Sequence, residues 1–169
     1  MFVISDSHGG LTQAITKHFQ GASWQRCQVH LMRNLLSFSP VKLRGEVAAH
    51  AKLVLHAHDM VEANRQLDVF IERFGKSATK AVACLEEGFA DAMVVMALPE
   101  KYRRRLRTTN MQERLNEEIR RRERVIRIFP NDESALRLMG ALLAEFNKTW
   151  AERLYINMDE FKEWLMKRS

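Results

Sequence analysis

The opening run Phe2-Val3-Ile4-Ser5, followed by Asp6 and then Gly9-Gly10, constrains the fold more than any other stretch. Residues 2–5 are short and apolar, with β-branched Val3 and Ile4, which predicts a buried strand. Gly9-Gly10 predicts a turn. Residues 11–19 then place Leu11, Ile15, His18 and Phe19 on one side of a helix, and residues 22–29 predict a second strand. Strand, helix, strand at this spacing is a βαβ unit, so the two strands should be parallel. In open parallel sheets, ligands sit beyond the carboxyl ends of strands. Asp6 falls at such an end.

Beyond His30 the pattern changes. Residues 31–37 predict a helix that stops before Pro40, and residues 41–55 and 60–74 predict amphipathic helices, with Gly75 as a C-cap. Residues 78–87 and 89–98 continue the helical period as far as Pro99, and no strand period occurs from residue 41 to residue 98. A basic run at 101–107 precedes a charged helix over 110–124. Pro130-Asn131-Asp132 caps a helix from 133 to about 150, and residues 159–167 predict a last short helix. The expected division is a βαβ start over residues 1–38, an all-helical insertion over 39–98, and helices that complete the core over 99–169.

Composition narrows the class. A chain of 169 residues can bury a real core, and 46% hydrophobic with 28% charged residues is ordinary for a globular protein. The net charge of +6 favours a polyanionic partner. Two cysteines are too few for a disulfide framework and suit a reducing compartment, so a cytoplasmic location is expected. No apolar run approaches a membrane span, and no membrane partner is expected.

Each candidate residue carries a chemical and a plain structural reading. Asp6 suits a metal-binding carboxylate at a rigid strand end, with Gly9-Gly10 leaving room for a phosphate or a cation. The plain reading is an Asp that closes a turn. Cys27 and His30 have the spacing of half a zinc site, but no second pair stands out, His56 and His58 being weak candidates. A buried thiol and a hydrogen-bonded histidine that support the site are preferred. Glu113 follows Asn110 at capping-box spacing, yet Asn110, Glu113, Asn116, Glu117 and Arg120 also form a polar face beside the Met111, Leu115, Ile119 stripe. Arg103, Arg104, Arg105 and Arg107, with Arg120 and Arg121, bracket Glu113 and suit phosphate through bidentate hydrogen bonds. The plain reading there is a solvated face, since Glu117, Glu118 and Glu123 are interspersed.

Two families share parts of this pattern. Asp6-Ser7-His8-Gly9 resembles the opening of metallophosphoesterases, but their blocks Gly-Asp-x-x-Asp, Gly-Asn-His-Glu and Gly-His-x-His do not occur. The whole order of signals resembles the Mutator-type transposases of bacterial insertion sequences. The matching residues are Asp6, Gly10, Leu11, Gln25, Cys27 and His30, then Arg33-Asn34, then Thr108-Thr109-Asn110 with Glu113 and Asn116. The match runs from about residue 3 to residue 150, with departures at His18 and Gln20.

The resemblance implies a mostly helical α/β chain. It is a partial ribonuclease H-like fold with few parallel strands and a large all-helical insertion. It implies an acid triad of two Asp and one Glu on two Mg²⁺ (or Mn²⁺) ions, with Asp6 as the second Asp and Glu113 as the Glu. Cys27, His30, Asn110 and Asn116 would support the site, and the arginines would bind DNA at insertion-sequence ends. The family's first Asp lies on an earlier strand. The expectation is therefore a C-terminal part of a transposase catalytic region, inactive by itself. The alternative is a non-catalytic remnant that binds DNA or a full-length transposase; a homo-oligomer or a full-length transposase is the expected protein partner.

Overall fold

The computed structural model describes residues 1–151 and 159–167. The chain divides into two compact units, Met1–Thr109 and Asn110–Ser169. Among the described residues the fold is mostly helical, with one small two-stranded sheet.

In the first unit, β1 (Phe2–Ser5) and β2 (Ser23–Arg26) pair in parallel, with Phe2 opposite Ser23 and Ser5 opposite Arg26. Helix α1 (Gly9–His18) connects them. The βαβ expectation therefore stands, with two adjustments. Gly9-Gly10 is the first turn of α1 and not a separate turn, because the His8 carbonyl already accepts from the Leu11 and Thr12 N–H groups at 2.9 and 3.0 Å. And β2 is shorter than residues 22–29. The Cys27 N–H makes the last rung to the Ser5 carbonyl at 2.7 Å, after which α2 (Gln28–Ser37) begins at once. Val29 and His30 thus lie on a helix.

Helices α3 (Arg44–Leu55), α4 (Met60–Phe74) and α5 (Thr79–Ala92) follow, α3 entered through a 3-10 turn at Val41–Leu43. Helix α4 starts where Asp59 Oδ1 accepts the Glu62 N–H at 2.8 Å, a side-chain cap that satisfies one orphan donor. Gly75 is its C-cap, in right-handed backbone. The helical stretches expected at 78–87 and 89–98 join across Gly88. Helix α5 runs through it to Ala92, then gives way to a 3-10 turn at Val94–Ala97. Helix α6 (Glu100–Leu106) starts after Pro99 and carries the basic run.

The core of this unit lies among α2, α3, α4 and α5. Leu31, Leu35, Val47, Val54, Phe70, Phe74 and Leu85 are fully buried or nearly so. The Phe70 and Phe74 rings sit 5.0 Å apart, and the His50 ring meets Phe74 edge-on at 5.3 Å. Large aromatic rings dominate such a core because each removes so much apolar area from water. β2 packs on α5 and on the 3-10 turn after it, so the sheet is fastened to the helical core by one strand.

The second unit contains α7 (Asn110–Ile126), α8 (Asp132–Ala151) and α9 (Asp159–Met166). Arg127 has φ 60°, a left-handed conformation rare for a side-chain-bearing residue, and it ends α7. Asn131 caps α8, its Oδ1 accepting the Ser134 N–H at 2.9 Å. Among the described residues no helix is long and apolar enough to cross a membrane.

Candidate functional site

Asp6 is the first residue past the carboxyl end of β1, and the strand end beneath it is rigidly held. The Trp24 indole N–H of β2 donates to Ser5 Oγ at 2.8 Å, and that hydroxyl donates to the Asp6 carbonyl at 2.7 Å. With the Cys27 rung on the Ser5 carbonyl, the backbone leading into Asp6 is bonded from both sides. The half-buried Asp6 carboxylate accepts one long hydrogen bond, from the His8 N–H at 3.4 Å. Most of its lone pairs are therefore uncommitted. A Cβ on Gly9 would meet nothing within 4 Å, so the surface beside the carboxylate is open.

Cys27 is fully buried at the junction of β2 and α2. Its Sγ lies 3.4 Å from Thr109 Oγ1 and accepts the Thr109 N–H at 3.4 Å. The Gln28 N–H donates to the Arg107 carbonyl at 3.0 Å. The strip 107–109 is thus bound to the end of β2 and the start of α2. His30 is half-buried on the first turn of α2. Among the described residues no group of three or more His, Cys, Asp or Glu side chains is arranged to hold a metal ion.

The signature Gln25 has a role that its sequence position did not disclose. It is fully buried, and its amide donates to the Ala92 carbonyl at 2.6 Å and to the Arg26 carbonyl at 2.9 Å. Its Oε1 accepts the Val95 N–H at 2.6 Å. Gln28 Nε2 reaches the same Ala92 carbonyl at 2.8 Å. Two glutamines therefore clamp the carboxyl end of β2 to the end of α5, where a helix terminus leaves carbonyls in need of donors. Only the alternation of buried and exposed positions around Gln25 could have signalled this.

On α7, Asn110, Glu113 and Asn116 recur at intervals of three and share one face. The Asn116 side-chain oxygen accepts from Gln112 at 3.4 Å. Arg121 is bound to Glu118 at 2.8 Å, and this hydrogen-bonded guanidinium holds the Glu118 carboxyl below the usual range. Arg120, Glu123, Arg124 and Arg127 surround a shallow basic concavity of about 560 Å³. Asp6 belongs to the first unit and Glu113 to the second.

The basic run on α6 separates by function. Arg103 donates Nε to the Leu98 carbonyl and Nη1 to the His58 carbonyl, both at 2.7 Å, and so fastens α6 to the α3–α4 connection. Arg104 and Arg107 instead face a concavity of about 610 Å³, together with His56, Glu100 and Lys101. Burial, with Arg103 and Arg104 nearby, pushes the Arg107 guanidinium below its ordinary value. Burial, Arg107 and Lys52 do the same to His56. His56 was not singled out for this role, because its neighbours lie about fifty residues away in sequence.

Comparison with known proteins bears on all of this. The profile of the Mutator family of transposases matches residues 1–153. The transposase of insertion sequence element ISRM5 from Rhizobium meliloti is 40% identical over 162 residues, covering 95% of this chain and 41% of the relative. The transposase of IS256 in transposon Tn4001 from Staphylococcus aureus is 42% identical over 164 residues, covering 94% and 41%. That of IS1081 from Mycobacterium tuberculosis is 33% identical over 158 residues, covering 93% and 38%. The chain spans about two-fifths of the length of these curated relatives.

Proposed function

Because the chain belongs to the Mutator family of transposases, we propose that it forms part of a transposase catalytic region that cuts and joins DNA at insertion-sequence ends. In this reading the βαβ start over residues 1–38 opens a ribonuclease H-like core. Residues 39–98 are its helical insertion, and residues 99–169 complete it. The observation that carries the reading is the Asp6 carboxylate. It stands at the carboxyl end of a parallel strand, on a braced backbone, with one weak hydrogen bond.

That carboxylate fits a hard divalent cation. Asp and Glu oxygens are the donors Mg²⁺ prefers, and an uncommitted pair of oxygens needs little rearrangement to bind one. Asp6 and Glu113 would hold the ions, beside the carboxylate that the family carries on an earlier strand. Bound in a pair, such ions activate the attacking oxygen and stabilise the leaving one. The Ser5–Trp24–Cys27 bonds keep Asp6 from swinging away. Asn110 and Asn116 flank Glu113 with neutral donors that can orient a carboxylate or a phosphate oxygen. The arginines of α6 and α7 offset phosphate charge.

The test replaces the matching segment of the full-length Staphylococcus aureus relative with this chain and scores excision of a marked element. Excision should survive the replacement and vanish with Asp6→Asn or Glu113→Gln. Retained excision with either variant refutes the assignment. The 169-residue chain by itself should not nick DNA with Mg²⁺ or Mn²⁺, and nicking would remove the need for a third carboxylate.

A further inference from the structure

We propose that the concavity beside α6, walled by His56, Lys101, Arg104 and Arg107, is a binding site for a backbone phosphate of duplex DNA. This rests on the reading that the chain acts on DNA, but it concerns neither of the two carboxylates.

The construction starts from helix periodicity. Lys101, Arg104 and the C-cap residue Arg107 recur at intervals of three, and Glu100 lies four before Arg104, which puts them on one side of α6. The opposite side is used internally: Tyr102 is buried, and Arg103 is spent on two carbonyls. The far wall is His56, the C-cap of α3, whose backbone N–H donates to the Lys52 carbonyl at 2.9 Å. Arg107 is placed from two sides. Its carbonyl takes the Gln28 N–H at 3.0 Å, and its Nε donates to the Arg103 carbonyl at 3.2 Å.

The charges around this concavity are unbalanced. Arg65, Arg73, Arg121 and Arg137 elsewhere each sit on a glutamate, at 2.7 to 3.9 Å. Neither Arg104 nor Arg107 forms an ion pair with a carboxylate among the described residues, although Glu100 lines the same hollow. Arg107 retains its Nη donors, and Arg104 its whole fork. Burial first, and then the neighbouring Arg103 and Arg104, disfavours the charge on Arg107; burial first, and then Arg107 and Lys52, disfavours a proton on His56. Folding has concentrated positive charge around an open hollow that, among the described residues, is lined by one acid. A phosphate relieves that repulsion, and the guanidinium fork matches its oxygens. A recess shaped this way takes a phosphate from a DNA backbone or from a free phosphate, and the two sources are separable by experiment.

The full chain is titrated into a fluorescent 30-base-pair duplex at several salt concentrations, and the His56 imidazole resonance is followed by NMR. Arg104→Gln with Arg107→Gln should weaken binding roughly tenfold and lower the salt slope by about 1 to 2. The His56 resonance should shift on adding duplex to the wild type and not to this variant. Arg107→Lys, in the presence of Arg104, should keep most of the slope and guards against a merely misfolded protein. Arg65→Gln, a charge-matched change at a paired arginine, should leave binding near wild type. Inorganic pyrophosphate that shifts His56 while duplex does not would identify a free-phosphate site and refute the DNA assignment. Duplex binding that is equally strong in the double variant and in Arg65→Gln refutes the pocket and leaves the proposed catalytic role intact. Absence of any duplex binding by the wild type refutes the pocket as a DNA site.

Discussion

Replacing Gln25 tests how the sheet is joined to the helices. Gln25→Leu keeps the volume but removes two donors and one acceptor from a fully buried position. The Ala92 carbonyl keeps its second donor, Gln28, at 2.8 Å. The Val95 N–H has no such substitute, and it loses an acceptor 2.6 Å away. A buried donor left unsatisfied costs about 1–3 kcal/mol, and the lost bond to the Arg26 carbonyl adds about 1 kcal/mol. The expected loss is therefore about 2–4 kcal/mol. For a unit of this size it lowers the midpoint by about 4 °C or more per kcal/mol. Urea unfolding followed by circular dichroism reads it directly, as a fall in midpoint concentration at constant slope. Gln25→Glu sharpens the test. A carboxylate there faces two carbonyls without the hydrogens they need, so burial raises its folded pKa above the unfolded value. Its protonated form is tolerated at low pH, and stability falls as pH rises through the raised value. Gln25→Glu should approach wild type at pH 5 and fall furthest below it at pH 8. A loss under about 1 kcal/mol for the leucine variant, or no pH dependence for the glutamate, would show that the clamp is incidental.

Two further perturbations probe the same unit. A Cβ at Gly88 would lie 2.6 Å from Arg26 Nη1 and 2.8 Å from Leu31 Cδ1. Gly88→Ala should therefore cost about 1 kcal/mol, overpacking outweighing the gain in helix propensity, and part of that loss should vanish in combination with Arg26→Ala. An unchanged denaturation midpoint would contradict this. His56 is held below its ordinary value of 6.5, chiefly by burial. The unfolded chain then takes the proton first as pH falls through 6.5, so stability contributed by the neutral ring is lost on acidification. Between pH 7.5 and pH 5.5 the wild type should lose more stability than His56→Gln, and equal losses in urea titrations would refute the assignment.

The elements with a strong local signal were legible in the chain. β1, α4 and the parallel pairing follow from β-branched residues, periodicity and the short crossover, all of which act over a few residues. The boundaries that moved were decided by distant partners. β2 ends at Arg26 because Cys27 turns onto Ser5 and Thr109. Helix α5 continues through Gly88 because the absent side chain makes room for Arg26 and Leu31. The same holds for the site residues. Asp6 could be placed from its strand, whereas the work of Gln25 depends on carbonyl and amide groups about seventy residues away. In α6, sequence marks all the arginines alike. Only packing distinguishes Arg103, which holds carbonyls, from Arg104 and Arg107, which face the hollow.

The thiol of Cys27 and the amide of Gln28 hold residues 107–109 against the sheet, and Asn110 follows after a single peptide bond. Residues 107–109 are thus moored to the first unit through their own backbone. Most loops would absorb an extra residue by bulging outward. One inserted between Arg107 and Thr109 would have to break the tie to Gln28 or the tie to Cys27.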